Sequence, residues 1–91
     1  MPLYTVILDF NGGTYISQVR ARSFTSVPAT WVRSLKPNEV QGLGNGSLEK
    51  LEMALADDKP VALDNLKSAW CSSALVRGKL ALIHYVETNG S

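Results

Sequence analysis

Asn11-Gly12-Gly13 sits between two runs of alternating apolar and polar residues, and no other feature restricts this fold so tightly. Asn-Gly and Gly-Gly supply positive φ at little steric cost, which the two-residue turns of β-hairpins require. Before the turn, residues 3–10 (LYTVILDF) are dominated by β-branched and aromatic types that suit a pleated surface. After it, a second strand is expected over residues 14–22. Either choice of turn dipeptide gives the same faces. Tyr4, Val6, Leu8, Phe10, Tyr15, Ser17, Val19 and Ala21 share one side. Ile7, Asp9, Thr14, Ile16, Gln18, Arg20 and Arg22 share the other. The first set is the expected core side.

A second hairpin closes the chain. Residues 69–76 read as a strand, Arg77-Gly78 as a tight turn, and residues 79–87 as the final strand. A two-residue turn pairs Val76 with Lys79 and Leu75 with Leu80. Ala69, Cys71, Ser73, Leu75, Leu80, Leu82, His84 and Val86 then lie on one face. Trp70, Ser72, Ala74, Val76, Lys79, Ala81, Ile83 and Tyr85 lie on the other.

Between the hairpins the period changes from two to nearly four. Thr25 or Ser26 can cap a helix whose first turn tolerates Pro28, and Val27, Trp31 and Leu35 form its stripe. Pro37 ends it, because the residue before a proline is pushed towards extended backbone. Residues 38–46 are expected to be a flexible, glycine-rich connection. Ser47 is read as the cap of a second helix running to Asp57, with Leu48, Leu51 and Leu55 as its buried stripe. Residues 61–67 fit a short strand or a turn. The tail after Thr88 is polar and expected to fray.

The pattern is therefore α+β in the order β-β-α-α-β-β. Two β-hairpins form one four-stranded, mostly antiparallel sheet with both helices packed on one face. Ninety-one residues suffice for a single domain over 1–91. Hydrophobic types make up 45% of the chain and net charge is +1, which excludes a disordered tail. One cysteine excludes a disulfide framework, and one cysteine with one histidine does not make a structural zinc site. No apolar run is long enough to span a bilayer, and the opening residues do not resemble a signal peptide. A cytoplasmic protein without cofactor, metal or membrane association is the expectation.

Chemistry-bearing residues are sparse. Cys71 and His84 are expected to face each other across the closing hairpin, the juxtaposition from which a nucleophilic thiol site is built, yet neither an oxyanion hole nor an orienting carboxylate is predictable from the sequence. Asp57, Asp58 and Asp64 match no calcium-loop spacing. Gly42-Leu43-Gly44-Asn45-Gly46 precedes a helix but lacks the remainder of a dinucleotide or P-loop pattern. Arg20, Arg22 and Lys79, interleaved with aromatics, are the nucleic-acid-binding candidates. A net charge of +1 provides no global footprint for that role. No residue is assigned as catalytic.

The stronger signal is apolar. With helices on one side only, Ile7, Ile16, Trp70, Val76, Ile83 and Tyr85 are expected to line the open side, where an apolar patch marks an interface. The leading expectation is a non-catalytic protein-interaction module, a homodimer through its open face or an edge strand, or docked to another protein. The alternatives are a nucleic-acid-binding or antitoxin-like accessory domain and, third, a cysteine-dependent enzyme.

Tyr4-Thr5-Val6-Ile7, then Gly12-Gly13-Thr14-Tyr15-Ile16 and a helix, resembles the small antitoxin-type domains of the HicB-like class. The resemblance covers the first hairpin and the helix after it and implies topology only. The glycine-bearing connection and the closing hairpin depart from that pattern, and no DNA-binding tail is present.

Overall fold

Alternation at the amino end produces the predicted hairpin. In a computed structural model of the chain, strands β1 (Leu3–Phe10) and β2 (Gly13–Arg20) pair antiparallel from Phe10↔Gly13 to Leu3↔Arg20. The structure describes residues 1–63 and 68–88. Asn11 and Gly12 both take positive φ, 52° and 80°, so that the turn twists with the strands. A single 3-10 turn (Phe24–Ser26) leads into α1 (Val27–Ser34), which carries Pro28 in its first turn. Helix α2 (Asn45–Asp57) follows the glycine-rich connection, and a two-residue strand β3 (Val61–Ala62) follows α2. Strands β4 (Ala69–Val76) and β5 (Lys79–Thr88) form the second hairpin, with Val76↔Lys79 and Leu75↔Leu80 in register as expected.

The hairpins meet through β1 and β5, with Ile7 opposite His84. The sheet is entirely antiparallel in the order β2-β1-β5-β4-β3. It therefore has five strands where four were expected, because Val61–Ala62 adds to the outer edge of β4. Both helices pack on the face of Tyr4, Val6, Leu8 and Phe10. Trp31, Leu43, Leu51, Ile83 and Tyr85 are fully buried between the layers. Trp31 Nε1 donates to Ser17 Oγ at 3.1 Å, fixing α1 against β2.

The connection over 38–46 is more anchored than its composition suggests. Val40 and Leu43 are core residues, and the backbone N–H of Asn38 donates to the Leu43 carbonyl at 2.8 Å. Gly42 has φ of +92°, and a Cβ there would meet the Phe10 ring at 3.2 Å, so conformation and space both call for glycine. Helix α2 begins two residues before the expected Ser47. Gly44 is its cap, and Ser47 lies buried in the first turn. Asp64, most of the segment 61–67 and the tail 89–91 lie wholly or partly outside the described residues.

Candidate functional site: the uncovered face of the sheet

Strand geometry fixes which side chains the uncovered face presents. Because successive residues alternate, register alone places Ile16, Ile7, His84, Cys71 and Val61 in one row across all five strands. Beside that row β5 adds Leu80, Leu82 and Val86, and β4 adds Leu75 opposite Leu80. Five of these side chains are well exposed: Ile16 at 68%, Val61 at 69%, Leu75 at 71%, Leu80 at 54% and Val86 at 38%. Ile7 and Leu82 are half-buried by their neighbours. Polar residues collect towards one end, where the Thr5 and Thr88 hydroxyls bond each other and Gln18 Nε2 donates to Thr5 Oγ1 at 3.2 Å. Asp9 accepts from Thr14 Oγ1 at 2.7 Å at the other end, and Arg20 donates to the Met1 carbonyl at 3.0 Å.

Four expected members of this face are elsewhere. Val76, Ile83 and Tyr85 are buried beneath the helices, and Trp70 is half-buried on that same side. Phe24 stacks on Trp70 with ring centroids 3.8 Å apart and meets Tyr85 edge-on at 5.6 Å. The two faces of the second hairpin were separated correctly, but the one that joins the core is the opposite of that expected. Leu75, Leu80, Leu82 and Val86 take the open positions instead. The missed signal is Ala74 opposite Ala81, a pair of small residues on the side where α2 packs against β4. Ile7 and Ile16 are on the uncovered side, as their alternation requires.

The basic candidates do not converge. Arg20 stands at one end of the uncovered face and Arg22 is exposed beyond β2. Lys79 lies at the far end of the sheet, paired with core-facing Val76, and donates to Asn11 Oδ1 at 2.9 Å. Cys71 and His84 are opposed as expected, but the Cys71 thiol points to the Ser72 carbonyl at 3.7 Å. A cleft of about 520 Å³ opens on the helical side, with Phe24, Pro28, Leu55 and Trp70 in its apolar lining and an Arg33–Glu52 ion pair at 3.0 Å beside it. Neither this cleft nor a smaller one near Trp31 includes Cys71 or His84. Among the described residues no cluster of His, Cys, Asp and Glu suits a metal ion, and no helix is long and apolar enough to cross a membrane.

Comparison with protein-family models, with curated proteins and with solved structures returned no match. The likeness of the first hairpin to antitoxin-type domains thus rests on its strand–turn–strand–helix pattern alone.

Proposed function

We propose that this chain is a small non-catalytic protein-interaction module that works through its uncovered sheet face and takes a second copy of itself as partner. The observation that carries this reading is the solvent exposure of Ile16, Val61, Leu75, Leu80 and Val86 on one side of one sheet. Exposed apolar side chains gathered on one face are costly to leave in water and, where they form a patch, usually mark an interaction site. The area is modest. Four strands about 26 Å long and the two-residue β3, about 4.8 Å apart, present roughly 530 Å² per copy, or on the order of 1,050 Å² for a pair, in the range of weak, transient interfaces. Charge does not oppose a like partner, since the face carries one carboxylate, Asp9, and one guanidinium, Arg20, and no block of like charge.

Sedimentation over a hundredfold range of concentration tests the reading. The expected result is a monomer–dimer equilibrium for the native chain and a monomer for the double variant Leu75→Glu/Leu80→Glu. Both residues are exposed, so the variant should keep its circular dichroism spectrum and cooperative melt. A native chain that stays monomeric throughout overturns the proposal. So does a double variant that dimerises as well as the native chain, which would move the contact to the β2 edge.

A further inference from the structure

We infer that the free edge of β2 receives an extended peptide of a partner protein as a further strand, and that every second side chain of that peptide enters a groove between β2 and α1. The site lies at the edge and on the helical side of the sheet. It does not use the uncovered face, so it stands or falls apart from the self-association proposed above.

The backbone of β2 provides the first condition. Positive φ at both Asn11 and Gly12 closes the hairpin on the hydrogen-bonded pair Phe10↔Gly13. Gly13, Tyr15, Ser17 and Val19 therefore bond to β1, and the N–H and carbonyl groups of Thr14, Ile16 and Gln18 point away from it. β2 is the last strand of the sheet, and no other group among the described residues bonds that outward row. Donors and acceptors alternating at strand spacing are matched by another strand. Nothing blunts the edge: residues 13–19 hold no proline and no charge, and the register runs without a bulge. At the opposite edge of the sheet β3 already occupies part of β4.

The groove provides the second condition. A space of about 360 Å³ opens beside the edge, lined by Tyr15 and Ser17 of β2, Trp31 and Leu35 of α1 and its end, and Val40 of the connection. Its walls are fixed. Trp31 Nε1 donates to Ser17 Oγ at 3.1 Å, and the Gln41 N–H donates to Tyr15 Oη at 3.3 Å. A strand added to β2 sends alternate side chains to the helical side, opposite Tyr15 and Ser17. The small Ser17 leaves room there for an apolar side chain against Trp31 and Leu35. Glu39 also borders the groove and has no cationic partner among the described residues, so a lysine or arginine in the peptide is favoured. A bare strand fits better than a second copy. Helix α1 packs on β2, so a copy paired edge to edge would bring its own α1 over the neighbouring strand, about 5 Å away. Packed helices keep about 8–10 Å between their axes.

Peptide titration of the Leu75→Glu/Leu80→Glu variant, followed by amide NMR, tests the edge with the uncovered face altered. The probe is an acetylated, amidated heptapeptide of alternating valine and threonine that ends in lysine. The expected result is saturable binding with resonance shifts centred on residues 14–18. Amide exchange at Ile16 and Gln18 should slow about tenfold, while Tyr15 and Ser17, already bonded to β1, change little. The same peptide N-methylated along its length should bind about tenfold more weakly. So should the unmethylated peptide when Ile16→Pro is added, since this removes an outward donor at an edge, where proline is tolerated. The N-methylated arm leaves the protein unchanged and decides the matter even where Ile16→Pro does not fold. Absence of saturable shifts up to about millimolar peptide overturns the inference. Equal binding of the two peptides also overturns it, because contact with the groove would then need no strand pairing. A Leu75→Glu/Leu80→Glu variant that dimerises until Ile16→Pro is added overturns it too, by giving the edge to a second copy.

Discussion

Tyr85 shows how one side chain carries opposing contributions. Its ring is fully buried and meets Phe24 edge-on, a large apolar and aromatic gain. Its hydroxyl is less well served. Tyr85 Oη and Ser72 Oγ are neighbours on the covered face, yet both are buried without a partner at hydrogen-bonding geometry among the described residues. Burial pushes the Tyr85 hydroxyl up to about 12 from an ordinary 10.0; the nearby Ser72 draws it back, and Cys71 adds a smaller push upward. The folded chain therefore holds this proton to higher pH than the unfolded chain does. The resulting stability is complete below pH 10 and is lost between about 10 and 12, a change on the order of 2–3 kcal/mol. Tyr85→Phe removes that dependence along with the unpartnered hydroxyl. Its stability at pH 7 should be unchanged or up to about 1 kcal/mol greater. Its alkaline unfolding should be shallower than that of the native chain. Tyr4, raised first by burial and then by Glu87, leaves a residual slope. Urea melts from pH 7 to 12 measure both effects, and identical alkaline profiles for the two proteins would refute the account.

At the scale of elements, the two hairpins share one turn geometry built from different residues. Asn11-Gly12 suits positive φ at both central positions, whereas Arg77 adopts φ of 52° with no such aptitude. Arg77→Asn should stabilise the chain by about 0.5–1 kcal/mol, since asparagine enters the left-handed region at lower cost. Chemical denaturation checks it, and a loss of stability would mean that the Arg77 guanidinium, which lies over Gly46, contributes more than the turn. The same hairpin marks the limit of what could be read from the sequence. Its turn, its register and the membership of each face all followed from alternation around Arg77-Gly78. Which face joined the core did not follow, because Leu75, Leu80, Leu82 and Val86 are about as apolar as Trp70, Val76, Ile83 and Tyr85. Long-range packing decides it: Phe24 stacks on Trp70, and α2 packs against β4 on the side of Ala74. The edge strand β3 was equally hard to read, for two residues carry no periodicity and only their pairing with Cys71 and Trp70 defines them. Alternation thus puts Ile7 and Ile16 on the uncovered side of the sheet, and it is across β4 and β5 that the expected sides are inverted.

At the scale of the whole molecule, the proposed self-association ties fold stability to concentration. A chain of 91 residues buries only roughly 60–65% of its extended surface, so its margin is thin. One helical layer seals one side of the sheet and leaves the other uncovered. If a second copy supplies that missing layer, it binds the folded chain and not the unfolded one, and stability must rise with concentration. A hundredfold increase stabilises the dimer by about 2.7 kcal/mol, or half that per chain. For a domain of this size the shift in Tm is on the order of 5–10 °C. Scanning calorimetry of the native chain at two such concentrations should show it. The Leu75→Glu/Leu80→Glu variant should melt at one temperature at both, near that of the dilute native chain, because neither residue belongs to the monomer's core. A native Tm independent of concentration would mean that the monomer tolerates its apolar face in water. A variant that melts well below the dilute native chain would mean that Leu75 and Leu80 support the monomer itself. The paired measurement therefore separates a docking surface from a merely exposed one by its thermodynamics, independently of the size of the species in solution.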